Sequence, residues 1–318
     1  MSILAQSYDY GTSPLSPVVY AQHLHIYLFG GPIIQHSLSP KINGMLFKHA
    51  NASWAYDLCE TTDPKRFSEV LNQADCIGAS VTMPNKVKFM TLVDEVTEEA
   101  RAIGAINTVF NRLDAQGKRR KIGTNTDCVG IRETLRSRCA SINEITMGQP
   151  ALVVGAGGAA RSAIYALWTW LKPSEIYLVN RLKSEVQDLT SDLAKSMPGI
   201  KLRHVETIEE ARSIKTPRAI IGTVPSEQPK DPGEILAWDI CHTFLSRSGN
   251  KGAVLDMCYH PIRTRLLEVA EQYGWKIMYG TEVLVQVVAA QNALWVEKVP
   301  SVDVVQQAVL SVQSTSKL

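Results

Sequence analysis

The chain has 318 residues, 45% of them hydrophobic and 20% charged, with a formal net charge of +2. That balance fits a globular protein able to bury a core in two modest domains, and it excludes a disordered chain or a basic nucleic-acid binder. No apolar run is long enough to cross a bilayer. The six cysteines (59, 76, 128, 139, 241 and 258) show neither a C-x-x-C pair nor ligand spacing beside histidine, so reduced thiols in a cytoplasmic protein without a metal site are expected.

In chain order, residues 1–23 carry Ser, Tyr, Gly and Pro without periodicity and read as a loose leader; no basic start precedes an apolar stretch, so no secretory signal is predicted. A strand over 26–29 runs into Gly30-Gly31-Pro32, and the following helix repeats Ile42, Met45 and Leu46 at helical spacing. Residues 67–74 read as a helix, 78–82 as a strand and 97–103 as a helix. Residues 105–111 read as a strand that hairpins through Asp114 and Gly117 toward Lys121. This alternation predicts a mostly parallel sheet, followed by a connecting helix over 129–137.

Residues 151–162 then read Ala-Leu-Val-Val-Gly155-Ala156-Gly157-Gly158-Ala159-Ala160-Arg161-Ser162. A short apolar strand meets glycines where backbone must come close to a ligand: Gly155 permits a tight turn, Gly157 a path beside a pyrophosphate, and Ala160 close helix packing. The helix that follows begins with N–H groups lacking partners inside it, which is an anion site. A second strand follows at 175–179, then strands near 202–205, 219–223 and 252–257, with helices over 281–295 and 302–312. The organisation predicted is an α/β fold of two domains. After the leader comes a substrate-binding domain over 24–138 with a mostly parallel sheet. A Rossmann dinucleotide-binding domain follows over 139–278, and C-terminal helices over 279–318 return to the first domain.

Outside the glycine loop the polar motifs are individually modest. His36-Ser37-Leu38-Ser39-Pro40 offers two hydroxyls at a helix start, suited to a carboxylate, although Ser39 before Pro40 also suits a plain N-cap. Lys86, at the close of a strand and the start of a helix, alone would suit a solvated lysine. Asn107 and the run Gly123-Thr124-Asn125-Thr126-Asp127 alone would suit ordinary polar turns.

Together and in this order, H-S-L-S-P from His36, S-V-T-x-P-x-K from Ser80, G-A-I-N-T from Gly104, G-x-N-T-D from Gly123 and G-A-G-G-A-x-R-S from Gly155 resemble the shikimate/quinate dehydrogenase family over 26–295. The stretches 78–86, 178–181 and 257–261 look most like its fungal quinate dehydrogenase branch. The resemblance implies reversible oxidation of a ring hydroxyl of quinate or shikimate to the 3-dehydro ketone with NAD or NADP. It implies a cytoplasmic enzyme of quinate or aromatic metabolism, monomeric or homodimeric, whose partner is a carboxylated cyclic polyol.

By position, it implies that Ser37 and Ser39 hold the substrate carboxylate and that Thr82, Asn107 and Asp127 bond ring hydroxyls, with Tyr259 near the carboxylate end. Lys86 and Asp127 form the catalytic pair, since hydride transfer leaves a hydroxyl proton that needs an acceptor; Asp127 is expected to orient the lysine rather than to act alone as base. Gly155, Ala156, Gly157, Gly158, Ala159, Asn180, Arg181, Lys183, Thr223, Met257 and Gly280 face the dinucleotide.

Two departures bear on specificity. Val287 stands where the family helix has a glutamine, Gln286 projects about 100° away around the helix, and Gln291, one turn on, is the residue placed to reach the substrate instead. Asn180 replaces the acidic residue that bonds an NAD ribose, and Arg181 with Lys183 suits a 2′-phosphate, whereas the fungal branch suggests NAD. Val287 also motivates an alternative, a dehydrogenase of another cyclic polyol acid. A non-catalytic sensor of the same pathway is a further alternative, against which intact Lys86, Asp127 and the glycine loop argue.

Overall fold

The computed structural model describes residues 2–138 and 147–315; Cys139 and the domain junction anticipated there fall outside the described residues. The chain divides into two compact units, Met1–Thr126 with Val285–Leu318, and Asp127–Leu284.

The first unit opens with two short helices, α1 (Ile3–Ser7) and α2 (Pro17–Ala21), then β1 (His25–Gly30), α3 (Ser39–His49), β2 (Ala55–Glu60), α4 (Pro64–Leu71), β3 (Cys76–Val81), β4 (Glu95–Val96), α5 (Glu98–Ile103), β5 (Thr108–Leu113) and β6 (Arg119–Thr124). Its sheet has the order β2-β1-β3-β5-β6-β4. β1 runs parallel to β2 and β3, whereas β5 is antiparallel to both β3 and β6. The sheet is therefore mixed, and the hairpin is the cause. Asp114 Oδ1 accepts the N–H groups of Gln116 at 3.0 Å and Lys118 at 2.8 Å, and Gly117 takes φ +75. So short a connection can join only antiparallel neighbours.

Residues 2–21, read from the sequence as a loose leader, are tied down point by point. Thr12 bridges to Leu113, and the Tyr20 ring stacks on Trp54 at 5.5 Å while its hydroxyl donates to Val296 O at 2.5 Å. Arg112, almost wholly buried, donates to Ser7 Oγ and pairs with Glu297 at 3.0 Å; the other Glu297 oxygen accepts the Tyr8 hydroxyl at 2.9 Å. Anchors spaced this irregularly leave no periodic signature.

The second unit comprises α6 (Asp127–Arg138), β7 (Ala151–Val154), α7 (Gly158–Ala166), β8 (Ile176–Val179), α8 (Lys183–Ser196), β9 (Leu202–His204), α9 (Ile208–Ser213), β10 (Ala219–Gly222), α10 (Pro232–Ser246), β11 (Ala253–Asp256), α11 (Arg265–Gln272) and β12 (Lys276–Met278). Every ladder is parallel, in the order β12-β11-β10-β7-β8-β9. β7, β8, β10 and β11 are buried along their whole length, which is why they read as continuous apolar runs rather than as alternation. Strand order reverses direction beside β7, so the turn that leaves β7 stands at the switch point where doubly wound sheets bind ligands.

The chain ends with α12 (Gly280–Trp295) and α13 (Val302–Thr315). From Val285 onward they belong to the first unit. Trp295 Nε1 donates to Val109 O at 2.9 Å, and the ring occupies the space beside Gly78, where an added Cβ would lie 2.6 Å from Nε1. α13 lies against α3, where the Ser311 hydroxyl meets Met45 Sδ.

Candidate active site

In the first unit the sheet gathers the predicted polar residues by its topology. β3 ends at Val81, whose N–H donates to Asn107 O at 2.8 Å, and Asn107 N–H donates to Thr124 O at 3.0 Å. Because β5 is antiparallel to its neighbours, its start lies beside the ends of β3 and β6. That geometry places Asn107 next to Thr82 on one side and Thr126 on the other.

Thr82 is fixed by its N–H on Phe29 O at 2.8 Å, and the loop continues through a cis Met83–Pro84 bond. Asn85, fully buried, donates to Thr61 O at 2.8 Å, and Lys86 O accepts the Ile106 N–H at 2.9 Å. The Lys86 backbone is thus held at its carbonyl, next to the anchored Asn85, with its side chain half-buried. The helix expected to begin at Lys86 is instead a single 3₁₀ turn from Lys88 to Leu92.

The two serines expected to receive a carboxylate follow β1. Ser37 Oγ accepts the N–H of Ser39 at 3.2 Å, and α3 starts at Ser39 with Leu38 in the cap position. Ser39 is therefore the first helical residue, not the cap, and the Ser37 hydroxyl satisfies its N–H. Behind it, buried Asn43 donates to Ser39 O at 3.0 Å and accepts from Asn292 Nδ2 at 2.8 Å; Asn292 also donates to Val288 O at 3.1 Å. Val287 is buried in α12. Gln291, expected to reach the substrate, gives its amide hydrogens to Ser80 Oγ at 3.1 Å and Thr108 Oγ1 at 3.0 Å.

In the second unit the glycine loop has the geometry its sequence implies. Gly155 takes φ +118, and an added Cβ there would lie 2.4 Å from Thr223 Oγ1. Thr223 closes the turn, its hydroxyl donating to Val154 O at 2.7 Å. Gly157 occupies the cap position of α7 without a side-chain cap, and a Cβ added to it would meet nothing within 4 Å. Backbone N–H groups at a helix start, beside open space, fit a dinucleotide pyrophosphate. Gly280 needs to be glycine, since a Cβ would approach Met257 O to 2.6 Å and Cys258 O to 2.5 Å. Tyr259 sits half-buried in the same loop, two residues beyond Met257, and Asp127 opens α6.

The residues after β8 are already engaged. Asn180 Nδ2 donates to Leu182 O at 3.0 Å and Glu185 Oε2 at 2.7 Å. Arg181 pairs with Glu234 at 2.7 Å and stands 3.9 Å from Asp231, while Lys183 meets Glu206 at 2.8 Å. The Lys183 ammonium holds the Glu206 carboxyl below its usual range. Sequence reasoning found the cations and missed the four carboxylates around them, which come from α8 (Glu185), the start of α10 (Asp231 and Glu234) and the loop after β9 (Glu206). Asn43, Asn85, Asn292 and Asp256 were also missed, because single polar residues in apolar or loop surroundings carry no local signal. Among the described residues no group of three or more His, Cys, Asp or Glu could hold a metal ion, and no helix is long and apolar enough to cross a membrane.

Residues 28–109 match the family described as shikimate dehydrogenase substrate binding domain. The chain is 35% identical over 288 residues to quinate dehydrogenase of Emericella nidulans, covering 86% of this chain and 87% of that protein. It is 34% identical to part of the pentafunctional AROM polypeptide of Schizosaccharomyces japonicus, covering 85% of this chain but 17% of that protein's length. Among solved structures it resembles shikimate 5-dehydrogenase from Thermus thermophilus in complex with NADP(H) and shikimate. The TM-score is 0.69 at 28% identity, over 91% of this chain and 99% of that one.

Proposed function

The chain belongs to the shikimate/quinate dehydrogenase family, and on that premise we propose how its own residues divide the work of oxidising a ring hydroxyl of quinate or shikimate. It is an NAD(P)-dependent dehydrogenase, and the product is the 3-dehydro ketone, reversibly formed. The observation that carries the reading is the presence in one chain of two serines at a helix start, suited to a carboxylate, and a glycine loop open to a pyrophosphate.

The substrate carboxylate is held by the hydroxyls of Ser37 and Ser39 at the start of α3. Thr82, Asn107 and Asp127 hydrogen-bond ring oxygens, and Tyr259 is assigned to the carboxylate end. The Gly155 turn, the N–H groups of 157–159, Thr223 and Met257 hold the dinucleotide, which supplies the hydride acceptor in oxidation and the donor in reduction. When the carbon gives up its hydride, the hydroxyl proton passes to Lys86 Nζ, and the Asp127 carboxylate orients that lysine; in reduction the same proton returns to the new alkoxide.

Of the two dinucleotides we favour NAD. Arg181 and Lys183 suit a 2′-phosphate, but each already faces a carboxylate, and Asp231 and Glu185 add negative charge to the same corner. Exposed pairs of this kind are individually worth no more than about 1 kcal/mol. A phosphate can compete for either cation, yet the carboxylates it displaces stay nearby and repel it. Five described cysteines are free thiols, which suits the reducing cytoplasm we assign to the enzyme. The two alternatives, another cyclic polyol acid or a non-catalytic sensor, gain no support from the relatives.

Initial rates with quinate and shikimate, each with NAD and with NADP, test the proposal. Turnover of at least one acid is expected, with kcat/KM for NAD about tenfold above NADP, a difference of about 1.4 kcal/mol. Neutralising the corner with Glu206→Gln and Glu234→Gln narrows that ratio. An NADP preference in the wild-type protein contradicts the electrostatic argument, and silence toward both acids contradicts the substrate assignment.

A further inference from the structure

Gln291 stands inside a chain of hydrogen bonds. Its amide nitrogen donates to Thr108 Oγ1 at 3.0 Å and Ser80 Oγ at 3.1 Å, and the side chain is buried. An amide nitrogen can only donate, so it occupies a lone pair of Thr108 Oγ1 and leaves the single hydroxyl hydrogen to go elsewhere. Two oxygens lie in reach of that hydrogen, Asn107 Oδ1 at 2.9 Å and the Thr126 hydroxyl at 3.1 Å; the relay assigns it to the nearer, Asn107. Asn107 Oδ1 also accepts the Thr126 N–H at 2.7 Å and the Thr126 hydroxyl at 3.1 Å. A side-chain carbonyl engaged on that edge cannot exchange places with its own nitrogen without leaving buried donors unpaired, each costing about 1–3 kcal/mol.

We propose that Gln291 is a positioning residue that, through Thr108, fixes Asn107 as a hydrogen-bond donor toward a ring oxygen of the substrate. This rests on the substrate reading above. Directionality is the essence of it. Gln291 sets the sense of the Thr108 hydroxyl, the hydroxyl joins the Thr126 N–H in holding the face of the Asn107 amide, and that amide then discriminates an oxygen from a donor at the ring. Ser80 is the second acceptor for Gln291 and lies outside the relay. Its hydroxyl accepts the other amide hydrogen, and the hydrogen bond to Thr108 suffices to hold the glutamine.

The variants Gln291→Met, Gln291→Glu, Ser80→Ala and Thr108→Val separate the roles in the full-length enzyme. Methionine keeps the length and removes the donor. Loss of one buried hydrogen bond is expected to raise the KM of the cyclic acid about three- to tenfold, with the dinucleotide KM unchanged. Glutamate is expected to do more harm, because a carboxylate draws the Thr108 hydrogen to itself and away from Asn107. Ser80→Ala should behave as wild type, and Thr108→Val added to Gln291→Met should cost nothing further, since both break one relay.

A Gln291→Glu enzyme with wild-type KM overturns the relay, because Gln291 would then be accepting rather than donating. Fully additive effects of Gln291→Met and Thr108→Val overturn it too, since that is how two independent packing residues behave. A second readout does not depend on turnover: the side-chain amide resonances of Asn107 in protein labelled with nitrogen-15 asparagine. They should be unchanged by Ser80→Ala and shifted by Gln291→Met and Gln291→Glu. Unshifted resonances overturn the relay whatever the substrate. Shifted resonances in a protein silent toward quinate and shikimate support the relay while refuting the substrate assignment.

Discussion

Asp256 shows how far a single buried carboxyl can bias the protein. It closes β11, accepting the Thr264 hydroxyl at 2.7 Å and the Cys258 N–H at 3.0 Å. Burial pushes its pKa from 3.8 up to about 6, against the opposing pull of those two hydrogen bonds. The folded carboxyl therefore keeps its proton at pH values where the unfolded one has lost it. Stability attributable to this group is greatest below the unfolded pKa, falls as pH rises through the folded one, and is level above it. A gap of about two pKa units corresponds to about 3 kcal/mol in full. Asp256→Asn removes the titration. In urea unfolding across pH the wild type should lose stability relative to the variant from about pH 4 to about pH 6.5; parallel profiles would show that the carboxyl is not perturbed.

At the same scale the sequence was informative wherever a polar group sits next to a backbone feature. The Gly155 turn, the two serines at a helix start and the Lys86 loop each combine a local conformation with a polar group, and their motifs could be read in order. Residues that act by reaching across the fold could not. Gln291 and Ser80 are 211 positions apart, and Asn292 and Asn43 are 249 apart. No window of sequence contains both partners, so the bonds of Gln291 to Ser80 and Thr108 were not anticipated.

Among the elements, those with complete burial or clear helical spacing were legible. β8 was recognised because every one of its residues is buried, and α12 because its apolar positions run through sixteen residues. β2 was not anticipated. It is an edge strand with Tyr56 buried among half-exposed neighbours, so it shows neither a continuous apolar run nor clean alternation. The antiparallel β5 was also unforeseen in its consequence, since only the sheet order reveals that the hairpin returns Thr126 to Asn107.

The junction of α12 with α3 carries its own prediction. Asn292→Leu leaves the buried Asn43 oxygen without its donor, and an unsatisfied buried acceptor costs about 1–3 kcal/mol. Because Asn43 also holds Ser39 O, the start of α3 should loosen as well. The expected result is a lower unfolding midpoint together with a raised KM for the cyclic acid and an unchanged KM for the dinucleotide. Lower stability with both KM values unchanged would make the asparagine pair purely structural.

For the whole molecule, the two sheets solve different problems. The parallel sheet of the second unit places a glycine turn at its reversal point, where backbone alone can hold phosphates. The mixed sheet of the first unit brings strand ends and one strand start together, where side chains can crowd around a polyol. The division into α/β units was readable from the alternation of elements, and the hairpin from Asp114 and Gly117, but the antiparallel pairing of β5 with β3 was not, because it joins strands that a helix and a further strand separate in sequence. Both units serve one claim, that a hydride leaves a ring carbon and its partner proton is taken by Lys86.

That claim is tested most directly by single-turnover transfer from quinate and shikimate carrying deuterium at the carbon that bears the reacting hydroxyl. The account predicts that the label appears on the reduced dinucleotide in the wild-type enzyme, and that Lys86→Ala slows its appearance about a hundredfold or more, the usual weight of a positioned acid–base group. Label that stays on the ring or is lost to water, or a Lys86→Ala enzyme that transfers it at the wild-type rate, would contradict the account.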